Sequence, residues 1–113
     1  MHLEELQRLL AGGEDSQHQF KREITHPDSL AAELVALSNS GGGQIFVGVE
    51  DDGRISGLSP QQVRAFNQLL SNTASNNVRP PIHPSTQNIV TEQGVVIVVT
   101  VAAGLNQPYM DAQ

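Results

Sequence analysis

Residues 39–57 read NSGGGQIFVGVEDDGRISG, a glycine run, a short hydrophobic stretch, three acids and an Asp-Gly. Asn and Gly adopt the left-handed conformation that ends helices, so NSGGG suits a chain passing directly from a helix into a strand. QIFVGV, residues 44–49, is that strand; EDDG supplies a tight turn, and RISGL, residues 54–58, returns antiparallel beside it. Gly42 or Gly43 is expected at positive φ. A phosphate loop would place its glycines after a strand, before a helix, and close to a lysine. Here they follow a helix and have no lysine nearby.

Upstream, Leu3, Leu6, Leu9 and Leu10 recur at helical spacing over residues 2–11, and Gly12-Gly13 stop that helix. HQFKREI, residues 18–24, alternates as a half-buried strand does, with Phe20 and Ile24 on one face and Gln19, Lys21 and Glu23 on the other. Lys21 and Arg22 then fall on opposite faces. THPD opens the helix that runs into the glycines, with Thr25 as cap, Asp28 as reciprocal acceptor and Pro27 in the first turn; Leu30, Leu34 and Leu37 form its buried stripe.

Downstream, SPQQ predicts a capping box from Ser59 and Gln62 with Pro60 at the first helical position. Val63, Phe66, Leu69 and Leu70 face inward, and the helix gives out within SNTASNN. RPPIHP, residues 79–84, is irregular because three of its six residues are proline. STQNIVTEQGVVIVVTVAA reads as two strands hinged at Gln93-Gly94, the second apolar on both faces and therefore interior. These elements predict an α+β fold, helices packed on a mixed, largely antiparallel sheet, in a single domain over residues 1–113.

Composition narrows the function. Twelve acids against six bases give a net charge of −6, which opposes a phosphate backbone at long range unless the bases cluster. The absence of cysteine excludes disulfides, zinc-thiolate sites and a thiol nucleophile, and fits a reducing compartment. The N-terminus has no signal-peptide pattern, and VVIVVTVAA falls far short of the roughly 20 apolar residues of a membrane helix. A soluble, cytoplasmic domain is expected. His2, His18, His26 and His83 lack metal-ligand spacing, and no nucleophile elbow is present.

The order of these elements, together with QFKRE, LVALSNSGGGQIFVGVEDDGRISGL, RPPIHP and VVIVVTVAAGLNQPYM, resembles the Schlafen-AlbA domain. That family shows an acid, four residues and Glu-Phe-Lys; a helix ending Ala-x-x-Asn-x-x-Gly-Gly; a strand ending Gly-Val; an Asp-containing turn; and a late strand followed by a Pro-Tyr-like segment. The resemblance covers nearly the whole chain and is most specific over residues 33–58. It implies a DNA-binding domain at the N-terminus of bacterial transcriptional regulators or helicase-related proteins, with further modules downstream. It also implies a rival activity, because the vertebrate Schlafen relatives are RNA endonucleases that use carboxylates from the Glu-Phe-Lys region and the acidic turn. Members have also been described as divergent ATP-binding modules, a reading the glycine run does not support here.

Carried onto this chain, the resemblance puts the first carboxylate at Glu14 and the third at Asp51, with Asp52 as the alternative register. The second falls on Gln19, an amide that adds no charge to a divalent-ion site. Lys21 matches the family lysine. The expected nucleic-acid contacts are Lys21, Gln19, Arg54 and Arg79, with no cofactor. The endoribonuclease alternative would use Glu14 and Asp51, with Asp52, around Mg²⁺ or Mn²⁺. A third alternative is an oligomerisation module presenting a partner domain, with homo-oligomers as one form. Clustered bases favour the first reading, converging carboxylates the second, and an exposed apolar edge the third.

Overall fold

The structure is a computed structural model that describes residues 1–79, 82–104 and 110–111. Its elements run α1 (Leu3–Ala11), β1 (His18–Lys21), α2 (Pro27–Asn39), β2 (Gly42–Val47), α3 (Pro60–Asn76), β3 (Val78–Arg79), β4 (Ser85–Thr91), β5 (Gly94–Ala102) and β6 (Met110–Asp111). The main sheet has the order β1-β2-β5-β4, and β3 pairs with β6 in a separate two-stranded sheet. β1 and β2 are parallel, whereas β5 lies antiparallel to both β2 and β4. The expected α+β architecture with a mixed, largely antiparallel sheet is present.

Side-chain alternation divides the core in two. Ile45, Val47, Ile97, Val99 and Val101 point to the face covered by α2 and α3. Phe46, Val96 and Val98 point to the opposite face, where Leu6 and Leu10 of α1 join Phe20 and Ile89. β5 therefore needs apolar residues on both sides, and Val96–Val99 is buried without interruption. Phe20 and Phe46 meet edge to face at 5.9 Å between ring centroids.

The glycine run reverses the chain as its composition predicts. α2 ends at Asn39, Gly41 and Gly42 take φ of 94° and 91°, and β2 starts at Gly42. Gly43 is not at positive φ and serves close approach instead, since a Cβ there would lie 2.5 Å from the Gln17 carbonyl oxygen. Ser59 and Gln62 form the predicted capping box, and α3 persists to the end of the polar stretch because Thr73 and Ala74 are buried.

Four local expectations are corrected. β1 ends at Lys21 rather than Ile24, because the Lys21 carbonyl is taken by the amides of Gly48 (2.7 Å) and Val49 (3.1 Å) from the loop after β2. Ile24 consequently packs in the α2–α3 core, across the sheet from Phe20. The cap of α2 is His26, without a side-chain hydrogen bond, so Thr25 does not cap. RISGL is not a sheet strand. It runs antiparallel beside β2's extension through a Val49–Ile55 bridge and the amides of Ser56 (3.0 Å) and Gly57 (2.9 Å) donating to Gly48 O, then Leu58 pairs with Val95. Gly57, at φ 76°, packs so tightly on the Gln93–Gly94 turn that the segment crosses to β5 instead of continuing a hairpin. Finally, the proline-rich segment begins inside a strand, since Arg79 belongs to β3. Pro80, Pro81 and the Pro-Tyr segment lie outside the described residues.

Candidate functional site

Because β1 and β2 are parallel, their C-terminal ends emerge at one end of the sheet. Lys21 is the last residue of β1, Arg22 follows it, and the loop after β2 carries Glu50, Asp51, Asp52 and Arg54. That loop is tied to β1 by the two bonds to the Lys21 carbonyl. It closes on itself through Gly53 N–H to Glu50 O (2.9 Å) and Glu50 N–H to Arg54 O (2.8 Å). Three of the six bases in the chain thus follow this end of the sheet, with Lys21 directed to Glu33 of α2 and Arg22 to Glu50 of the loop.

Each of the three bases has a carboxylate partner. Lys21 Nζ lies 3.1 Å from Glu33 Oε1 of α2, Arg54 Nε lies 2.9 Å from Asp52 Oδ2, and Arg22 Nε lies 3.7 Å from Glu50 Oε2. Asp52 also accepts the Arg54 backbone N–H at 3.0 Å, and that bond, followed by the guanidinium contact, holds its carboxyl below the ordinary 3.8. Arg22 is far more exposed than Glu50, whose Oε2 is buried without a hydrogen-bond partner among the described residues. The three pairs cancel in charge, and Asp51 in the same turn leaves this end of the sheet net negative. Ion pairs at such exposure exchange readily with solvent or an incoming anion.

Gln19 shares the α2-side face of β1 with Lys21, but its side-chain amide donates to the Asp15 carbonyl at 2.7 Å. Arg79 stands apart. Gln62, in the first turn of α3, bonds Glu23 two residues beyond Lys21, while Arg79 follows the other end of that helix, about 20 Å away along its axis. Of the four nucleic-acid candidates, Gln19 and Lys21 share the α2-side face of β1, Arg54 lies beside Leu10 and Ala11 of α1 on the opposite face of the sheet, and Arg79 stands at a distance from both.

The carboxylate set is less coherent. Glu14 is exposed between α1 and β1, Asp51 is exposed in the turn, and Asp52 is engaged with Arg54. Among the described residues no group of three or more His, Cys, Asp or Glu side chains is placed to hold a metal ion. Glu14, Asp51 and Asp52 are not brought into such a group.

Sequence reading missed the three acids as partners of the bases, because Glu33 and Glu50 meet them only through long-range packing. It also passed over Asp15, next to Glu14. Asp15 accepts the Gln17 N–H at 2.8 Å and contacts His18 Nδ1 at 2.9 Å, and these bonds, the Gln17 amide first, hold its carboxyl below 3.8. His18 in turn stacks on Phe46. An Asp three residues before a strand is a local turn signal that was available in the sequence.

The structure is similar to the N-terminal domain of a DNA-helicase RecG-related protein from Nitrosomonas europaea, with a TM-score of 0.76 at 21% identity, covering 100% of this chain and 82% of that one. It is also similar to the DIP2311 protein of Corynebacterium diphtheriae, with a TM-score of 0.61 at 19% identity over 96% of this chain. This chain spans 23% of the Corynebacterium protein. No curated protein matches. No described helix is long and apolar enough to cross a membrane. Residues 14–113, which hold the helix-glycine-strand unit and the acidic turn, match the Schlafen, AlbA_2 family, and the chain belongs to that family.

Proposed function

We propose that this chain is a nucleic-acid-binding domain, with DNA as its partner, acting within a cytoplasmic transcriptional regulator or helicase-related protein that carries further domains. The observation that supports it is that Lys21, Arg22 and Arg54, three of only six bases in the chain, all follow the C-terminal ends of β1 and β2, Lys21 toward α2 and Arg54 toward α1, at the end of the sheet where the two strands emerge. Gln19 offers a polar contact beside them, and Arg79 a separate one. The Nitrosomonas relative's name, a DNA-helicase RecG-related protein, agrees with this reading. An endoribonuclease using Glu14, Asp51 and Asp52 with Mg²⁺ or Mn²⁺ has less support, since those carboxylates do not assemble a metal site and position 19 carries an amide.

The test is fluorescence anisotropy with labelled duplex DNA, single-stranded DNA and RNA across a salt series. Binding is expected to be weak and salt-sensitive, with a slope reporting only a few phosphate contacts. Lys21→Ala should weaken binding to every sequence alike and make the slope shallower by roughly one contact. Absence of binding to any of the three at low salt overturns the reading, as does metal-dependent RNA cleavage that is lost in both Glu14→Gln and Asp51→Asn.

A further inference from the structure

We infer that the outer edge of β4 is a self-association surface on which a second copy of this chain adds its own β4, antiparallel, about a dyad at Asn88. β4 is the edge strand of the main sheet, and among the described residues nothing pairs with its outer side. Natural edges are blunted by charges, proline or a bulge. Ser85–Thr91 has none of these: its register with β5 is unbroken, and STQNIVT contains no charge and no proline.

Hydrogen-bond alternation fixes which groups are free. Val95 directs its N–H and carbonyl to Leu58, away from β4, so its cross-strand partner Val90 directs its own outward, and so do Asn88 and Thr86 two and four residues before. A dyad at Asn88 mates these groups with their copies. It sets Asn88 against the partner's Asn88 and Thr86 against the partner's Val90. Val90, 78% exposed and one of two large hydrophobic residues exposed among those described, becomes covered by that contact.

The occupant is a second copy for two reasons. The chain carries −6 overall, so two copies approach best along a strip without negative charge; Ser85–Thr91 has no charged side chain, and the charge held against it is the Met1 ammonium, 2.7 Å from Gln87 Oε1. Its sequence is also self-complementary about Asn88, with no like charges opposed and each hydroxyl or amide facing a small or neutral side chain. A foreign acidic or basic peptide would find no opposite charge within Ser85–Thr91 to select it.

The pairing leaves the basic cluster open. Across the sheet the register runs Lys21, Val47, Ile97, Asn88, so Lys21 lies level with the dyad. The two copies of Lys21 then sit at the outer edges of an eight-stranded sheet, seven strand spacings or about 34 Å apart.

Self-association is read without nucleic acid, so its failure is distinct from failure of the binding proposal. Sedimentation equilibrium of the 113-residue chain should give a concentration-dependent species of twice the 12.1 kDa chain mass. Val90→Lys, at an exposed site, should shift it to monomer with an unchanged circular dichroism spectrum. The chain has no cysteine, so Asn88→Cys should crosslink to itself on mild oxidation, the paired Cα atoms being about 5.5 Å apart, whereas Thr86→Cys, displaced by about 13 Å from its copy, should not. A chain that stays monomeric at every concentration overturns the inference. So does a dimer that survives Val90→Lys, or one in which Asn88→Cys fails to crosslink.

Discussion

At Gly42 and Gly43 two neighbouring residues of one type answer two different demands. Gly42 sits at φ 91°, and a Cβ there would lie 2.8 Å from the Val101 carbonyl oxygen. Gly43 has ordinary φ, but a Cβ would stand 2.5 Å from Gln17 O and 2.8 Å from Leu37 Cδ2. The first substitution incurs backbone strain plus a clash, and the second forces β1's lead-in and α2 apart. Gly42→Ala and Gly43→Ala should therefore each destabilise the fold by about 2–4 kcal/mol, measured by urea unfolding with an unchanged m-value. A loss below about 0.5 kcal/mol at either site would remove the role assigned to it. The sequence foretold positive φ at Gly42 or Gly43, because a chain leaving a helix needs it, and Gly42 is the one that takes it. The role of Gly43 was not legible, since the carbonyl it must clear belongs to a residue 26 positions earlier.

Among the elements, those set by local chemistry were readable and those set by pairing partners were not. Ser59, Pro60 and Gln62 announce α3 by themselves, and the structure shows Ser59 Oγ accepting the Gln62 N–H at 3.2 Å while Gln62 Oε1 accepts the Ser59 N–H at 2.8 Å. Thr25 and Asp28 carry similar chemistry but fail as a box, because the helix begins one residue later, after His26. β1 looked seven residues long from its alternation and is four, since its end is decided by amides of Gly48 and Val49. The same long-range choice hid the parallel β1–β2 pairing and replaced the expected 54–58 strand. Removing the α3 cap isolates one local contribution: Ser59→Ala should cost about 1 kcal/mol, read by denaturant unfolding. Because Gln62 also donates to Glu23 Oε2 at 3.1 Å, Gln62→Ala should cost at least as much, and a neutral result for both would mean α3 is held by Phe66 and Leu70 packing alone.

For the molecule as a whole, the proposed function asks how a chain of net charge −6 would meet a polyanion. The bases were visible in the sequence, but their neutralisation was not, because Glu33, Glu50 and Asp52 reach Lys21, Arg22 and Arg54 through tertiary placement and a turn. A phosphate that binds these bases must first displace the carboxylates, which then take up cations of their own. Intramolecular pairing thus lowers both affinity and the release of counterions. Replacing the partners with their amides, Glu33→Gln, Glu50→Gln and Asp52→Asn together, keeps shape and removes three negative charges. The Lys21–Glu33 and Arg54–Asp52 pairs reach solvent, and Glu50→Gln removes the charge from a buried carboxylate oxygen, so the unfolding midpoint should not fall appreciably. Nucleic-acid affinity should rise, and the salt slope should steepen by up to about three contacts' worth, about 2.7 in log K against log salt. The same substitutions in a Lys21→Ala background should recover less. If the folded triple variant binds no more tightly and its slope is unchanged, the end of the sheet where β1 and β2 emerge is not where nucleic acid sits.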